Sequence, residues 1–272
     1  MRQRVVDKME IQEYHNHPAY SKTDIARAKR STSYVGVKRN ADWVGNAAMD
    51  MGSAVHMLLL EPEKADAEIA YSKAGTRRGK VWEKDFDNNL GKILLLEKER
   101  DPVELMVESV LNHKRAAYLL TGGKAEQSFF CRLKGPGYDL PVKCRPDYMP
   151  GSLRIVDLKT TRNIEPEQFG KDAYNLKYHW SAWLTCKIVH QVTGQHHTYF
   201  FVCVENQEPY ETVVYQTKPD AIALAEAEIE PVLERLSDDH HKGRFSAIAA
   251  ENILELTLPG WAFGKMRNYD TF

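Results

Sequence analysis

Apolar positions along the chain recur at helical spacing in some stretches and alternate in others. Over 46–61, Ala47, Ala48, Met51, Ala54, Val55, Leu58 and Leu59 fall three and four apart, which predicts an amphipathic helix ended by Pro62. A shorter helix is predicted over 21–31, with Ser21 as N-cap and Asp24 at the third helical position. A basic, glycine-containing loop spans 73–84, and helical patterns follow at about 82–90 and 101–113. The period then changes. Segments 126–133, 138–148 and 152–160 read as strands, joined by Lys134-Gly135-Pro136-Gly137 and Met149-Pro150-Gly151, so two antiparallel hairpins are expected. A long helix over 166–193 ends at Gly194. Strands at 197–205 and 210–217 meet at Pro209, and a last helix runs over 218–241. This order predicts an α/β sheet core with a helical N-terminal extension in a single domain, 1–120 being the helical part and 121–272 the sheet core with the C-terminal helix.

Composition narrows the class. Of the 272 residues, 43% are hydrophobic and 28% charged, which is ordinary for a globular protein and excludes a disordered acidic chain. The four cysteines, Cys131, Cys144, Cys186 and Cys203, form no CxxC pair, which speaks against a zinc ribbon or a four-cysteine iron–sulfur site. Reduced thiols in the cytoplasm are the expectation. No apolar run approaches the ~20 residues of a membrane span, so no membrane anchor is expected.

The net charge of −1 hides segregation. Residues 1–40 carry nine Lys/Arg against four acids, 73–84 five against one, and 132–162 seven against three; residues 218–241 carry seven acids against two bases. The basic segments are expected to line a DNA-facing channel, and the acidic helix to face away or meet a neighbouring subunit.

The chemistry centres on Pro146-Asp147 and Asp157-Leu158-Lys159. On a strand, Asp157 and Lys159 share a face with Ile155, while Val156 and Leu158 face the opposite layer. A hairpin would bring Asp147 beside Asp157. Paired carboxylates suit a hard cation such as Mg²⁺, and a lysine two residues on can orient or help deprotonate a water and stabilise phosphate charge. Phosphodiester hydrolysis is the natural reaction class. On residue types alone, an Asp–Lys pair on a surface strand explains the same letters. Three features add weight. His56 stands one turn after Gly52, which would leave space beside the imidazole. Glu126 opens the first strand. The run Tyr174 to Trp183, with Tyr178, His179 and Ser181, mixes aromatic and polar groups directly after the catalytic strand, although Trp180 and Trp183 also read as core.

Together, Gly52-Ser53-Ala54-Val55-His56, Lys143-Cys144-Arg145-Pro146-Asp147, Val156-Asp157-Leu158-Lys159-Thr160-Thr161 and Tyr178-His179 resemble the PD-(D/E)xK nuclease superfamily. The closer resemblance is to its RecE-type (exonuclease VIII) phage and prophage recombination branch. The stretch Tyr14-His15 to Pro18-Ala19-Tyr20-Ser21-Lys22-Thr23-Asp24 resembles that branch's N-terminal segment. The resemblance implies a restriction-endonuclease-like core with a central mixed sheet flanked by helices. It implies Mg²⁺, with Mn²⁺ able to substitute, held by His56, Asp147, Asp157 and the Leu158 carbonyl. Lys159 would serve the attacking water, and Glu126 matches an acidic position of the first core strand. It further implies 5′-to-3′ digestion of linear double-stranded DNA, a RecT-like single-strand annealing partner, a homo-oligomeric ring, commonly a tetramer, and a bacterial or phage-infected cytoplasm. Ser181 and Thr185 stand where the branch often has glutamine and tyrosine, a departure in the helix motif. Two other readings remain: another nuclease of the superfamily, Cas4-like or structure-specific, and a nuclease-dead DNA-binding module.

Overall fold

A computed structural model describes residues 3–35, 47–248 and 253–263. Asn46, the first residue of the expected 46–61 helix, and Lys38 and Arg39 of the basic N-terminal stretch lie outside the described residues. The first half contains β1 (Arg4–Val6), α1 (Ile11–Asn16), α2 (Lys22–Arg30), α3 (Ala47–Leu60), α4 (Pro62–Glu68), β2 (Ile69–Ser72), α5 (Lys80–Asn88), β3 (Ile93–Leu96), α6 (Arg100–Asn112) and α7 (Lys114–Leu119). The second contains β4 (Gly123–Ala125), β5 (Ser128–Gly135), β6 (Tyr138–Cys144), β7 (Tyr148–Pro150), β8 (Arg154–Thr161), α8 (Pro166–Asn175), α9 (Tyr178–Thr193), β9 (Thr198–Glu205), β10 (Thr212–Gln216) and α10 (Pro219–His241).

The central sheet has the order β10-β9-β8-β7-β4 and is mixed: β8 and β9 run parallel, the other pairs antiparallel. A second sheet, β1-β5-β6, contains the expected hairpin, which turns between Gly135 and Tyr138 with Gly137 at φ 79. The two faces of β8 enter different cores. Ile155 packs with Trp180, Trp183, Ile188 and Leu233 from α9 and α10. Val156 and Leu158 pack with Ala54, Val55, Val103 and Met106 from α3 and α6. The alternation predicted for this strand is therefore the boundary between two helical layers.

Two expectations are corrected. The 138–148 strand is two strands in two sheets: β6 ends at Cys144, and Tyr148 resumes in the other sheet. Pro146 between them has no N–H for a ladder, so the chain leaves one sheet there and enters the next. The 166–193 helix is two helices, α8 and α9, because Lys177 takes a left-handed conformation (φ 59) at their junction. Pro62 ends α3 but also starts α4 as its first residue, where a missing N–H costs nothing. The parallel pair β2–β3 is formed by Ile69–Ser72 and Ile93–Leu96, runs too short for periodicity to separate from helix.

Candidate functional site

The site forms where β8 loses a neighbour. The backbone groups of its odd-numbered residues point to β9, as the bond from Asn206 N–H to the Thr161 carbonyl illustrates. On the other edge, β7 pairs with β8 only through Tyr148 and Val156. Two residues further, the backbone groups of Leu158 have no strand partner, and a buried peptide group needs one. Side chains supply it. Asp147 Oδ2 accepts the Leu158 N–H at 2.7 Å. His56 Nε2 lies 3.0 Å from the Leu158 carbonyl oxygen, and Lys159 Nζ donates to the same oxygen at 3.1 Å. Both lone pairs of that carbonyl are thus engaged, and the Asp147 and His56 side chains are locked to the backbone of one residue.

His56 reaches this edge because α3 lies close against β8. A Cβ on Gly52 would stand 2.9 Å from Thr160 Oγ1, so the glycine serves the approach of helix to strand. The expectation that it leaves space beside the imidazole is corrected: the space is filled by Thr160. With Nε2 donating to a carbonyl, His56 turns Nδ1 toward Asp147 Oδ2, 3.7 Å away. Burial and the charge of Lys159 lower the His56 pKa to about 4, so the imidazole is neutral at pH 7 and its Nδ1 lone pair faces the acids.

Three ligand atoms, one each from His56, Glu126 and Asp147, lie within 4.8 Å of one another. The Glu126 N–H donates to the Asp147 carbonyl at 3.0 Å, and Glu126 is left-handed at φ 52, which turns its side chain into the cluster. Arg145 holds it there: Nε is 2.9 Å from Glu126 Oε2, and one terminal nitrogen donates to the Met9 carbonyl at 2.8 Å. Asp157 lies beside Asp147, close enough for each charge to act on the other, and its Oδ1 accepts from Lys159 Nζ at 2.5 Å. The tightest trio thus takes in Glu126 while Asp157 is tied to Lys159. The Asp157, His56 and Lys159 side chains keep 10%, 28% and 21% of their surface, so the cluster is crowded but open on one side.

The electrostatics are those of acids awaiting positive charge. Burial and the neighbouring Asp157 push the Asp147 carboxyl well above the usual range. Burial raises Glu126 to about 7 against the pull of Arg145. Burial opposes ionisation of Asp157 too, but the Lys159 ammonium holds it below its ordinary value. Lys159 itself is raised by Asp157 and Asp147 in spite of burial, so it remains an ammonium at neutral pH. A neutral imidazole with several carboxylates around one point is the donor set of a hard or borderline divalent cation.

The expected helix motif divides. The Tyr178 ring lies 5.2 Å from Lys159 Nζ and belongs to the site's wall. His179 is elsewhere: its Nε2 is 3.0 Å from Glu228 Oε2, it stacks on Tyr174, and it is buried between α8, α9 and α10. Ser181 is half-buried, and its N–H closes the first turn onto Lys177. Thr185 is buried in the core beside Cys144. The charge segregation is also partly internal. Arg77 pairs with Glu99 and Asp50, and Arg132 with Asp139. Of the acidic helix, Glu226, Glu228, Asp238 and Asp239 all find partners within the chain. From its motif alone, Arg145 has no evident role. Arg145 stands two residues before a candidate ligand at a strand end, which is the signal that could have marked it as the holder of a neighbouring acid.

A family model described as a PDDEXK-like domain of unknown function (DUF3799) matches residues 21–253. The fold is similar to a crystal structure of a candidate exonuclease from Eubacterium rectale, at 13% identity and a TM-score of 0.62, with 97% of each chain covered. The structure of SSO0001 aligns at a TM-score of 0.28 and 14% identity, over 48% of this chain and 67% of its own. No curated protein matches. Among the described residues, no helix is long and apolar enough to cross a membrane.

Proposed function

This chain belongs to the PDDEXK-like domain family, and on that premise we propose that it is a divalent-metal-dependent exonuclease acting on the ends of linear double-stranded DNA. The observation that carries the reading is the convergence of His56, Glu126 and Asp147 beside the Asp157–Lys159 pair on one open strand edge. His56 Nδ1 and the carboxylates of Asp147 and Glu126 would hold Mg²⁺ or Mn²⁺, with the Asp157 carboxylate beside them. Bound there, the cation would polarise the scissile phosphate and activate a water. Lys159, kept charged by Asp157, donates to water or phosphate oxygen and stabilises developing negative charge; as an ammonium it is not the base. Arg145 keeps Glu126 aimed inward, and Tyr178 closes the wall over Lys159.

The finer reading rests on the RecE-type resemblance: digestion from the 5′ end, 3′ tails handed to a RecT-like annealing protein, and assembly of several copies into a ring. The test is digestion of linear duplex carrying a 5′ label or a 3′ label, with Mg²⁺, with Mn²⁺ and with chelator. Early release of 5′ label, metal dependence, and loss of activity in Lys159→Ala and Asp157→Ala are expected. Equal activity in wild type and both variants would sink the assignment. Cleavage of closed circular duplex would replace it with an endonuclease.

A further inference from the structure

Of His56, Glu126 and Asp147, only Glu126 has a left-handed backbone, at φ 52. It lies in the two-residue link between β4 of the central sheet and β5 of the second sheet. A residue with a Cβ leaves that conformation unless its surroundings hold it there.

The N-terminal segment supplies the hold. β1 pairs with β5, and Val6 stands opposite Ser128. One residue on, the Asp7 carboxylate accepts from Lys124 Nζ at 2.7 Å and from Gln127 Nε2 at 2.6 Å, so it grips the chain on both sides of Glu126. The Met9 carbonyl accepts from Arg145 at 2.8 Å. The same guanidinium donates through Nε to the Glu126 carbonyl at 3.0 Å and lies 2.9 Å from Glu126 Oε2.

The segment is itself anchored. Met9, Tyr14, Ala19 and Phe130 form a small core of their own. The buried Lys143 ammonium donates to the carbonyls of Tyr14, His15 and His17 at 2.5, 3.2 and 2.9 Å, which closes the C-terminal end of α1. Lys143 and Arg145 both lie against the Tyr14 ring, at 4.7 and 5.6 Å from its centroid. The ring therefore backs the guanidinium whose edge Met9 and Glu126 hold.

We propose that the N-terminal segment from Arg4 to His17 is a positioning element of the metal centre, holding Glu126 in its left-handed, inward-turned conformation through Asp7, Met9 and Tyr14. The proposal rests on the reading of His56, Glu126 and Asp147 as metal ligands. It makes Asp7 and Tyr14 positioning residues that touch no metal and act through Glu126. Removing a partner that orients a ligand typically costs about 10–100-fold in metal affinity.

The experiment titrates the full chain with Mn²⁺ by calorimetry, without DNA. The chains are wild type, Asp7→Ala, Tyr14→Leu, Tyr14→Phe and Glu126→Gln, with Asp7→Ala and Tyr14→Leu also combined with Glu126→Gln. Tyr14→Leu is expected to weaken binding about tenfold, and Asp7→Ala, whose ion pair is exposed, about threefold. Tyr14→Phe keeps the ring and should match wild type. In the Glu126→Gln chain, itself weakened, neither substitution should weaken binding further. A merely structural role would carry its loss into both backgrounds. Asp7 is exposed, so Asp7→Ala decides the matter should Tyr14→Leu fail to fold. Wild-type affinity in the two variants, or an equal loss with and without the Glu126 carboxylate, would overturn the positioning role alone. A wild type that binds no Mn²⁺, or binds it no better than Glu126→Gln, would overturn the ligand reading and the positioning role with it.

Discussion

Two carboxylate sites lie in the same layered fold and are built on opposite principles. At the strand edge, Asp147, Asp157 and Glu126 crowd together, and their bonds and charges come mainly from one lysine, one arginine and each other. Between α8, α9 and α10, the single carboxylate of Glu228 is surrounded by donors: Trp180 Nε1 at 2.7 Å, His179 Nε2 at 3.0 Å and Tyr174 Oη at 3.2 Å, with Lys177 and Lys29 at 3.6 and 3.8 Å. Burial opposes charge on Glu228, yet those donors and cations hold its pKa down to about 2. The hub is complete without a ligand. The strand-edge cluster is satisfied only when positive charge is added. Local electrostatic conflict within a well-packed fold marks a site of chemistry, whereas saturation marks architecture.

The largest effect that separates the two sites is on turnover. Lys159→Ala or Asp157→Ala should lower duplex digestion by about a thousandfold or more, while Glu228→Gln leaves it within a few-fold, as initial rates in Mg²⁺ will show. Stability should respond in the opposite sense. Glu228→Gln is expected to cost about 2 kcal/mol, a depressed carboxylate discounted for its solvent contact, read by denaturant unfolding at pH 7.

That cost has a pH signature. Because the folded pKa lies near 2 and the ordinary one at 4.5, the Glu228 contribution is complete above 4.5 and is lost as pH falls toward 2. The gap between wild type and Glu228→Gln should therefore close over that interval. A gap that persists unchanged at pH 2 would show that the hub is not ionic.

Asp147→Asn sharpens the same contrast. It removes repulsion against Asp157 and keeps an oxygen for the Leu158 N–H. Without metal the variant should melt at or slightly above the wild-type temperature. The rise in Tm that Mn²⁺ gives the wild type, by mass action on the folded state, should disappear. The smallest effect concerns the approach of α3. Gly52→Ala sets a Cβ against Thr160 Oγ1 and should destabilise by about 1 kcal/mol, partly offset by better helix propensity. Thr160→Ala in the same chain should restore wild-type stability.

Much of this was legible along the chain. Ser21 and Asp24 announced the start of α2, and the three-and-four spacing of Ala47 to Leu59 announced α3. Alternation placed Asp157 and Lys159 on the face of Ile155, and the two cores divide along that line. The ambiguous features were those whose letters fit two structures. His179 follows Tyr178 in sequence, yet successive helical residues point about 100° apart, so Tyr178 meets Lys159 and His179 meets Glu228. Residues 138–148 read as one strand because alternation continues across Pro146, although the ladder cannot.

The sequence by itself determined the local elements, the shared face of Asp157 and Lys159, and the supply of oxygen and imidazole donors, because pleat and helical turn act over a few residues. Only the tertiary structure decided which donors meet. The convergence depends on β7 abandoning β8 after a single pair, on Gly52 admitting α3 against Thr160, and on Arg145 and a left-handed Glu126 turning that carboxylate inward. These are contacts between groups far apart in the sequence. No local periodicity encodes them, since the unpaired peptide of Leu158 exists only once the sheets are assembled.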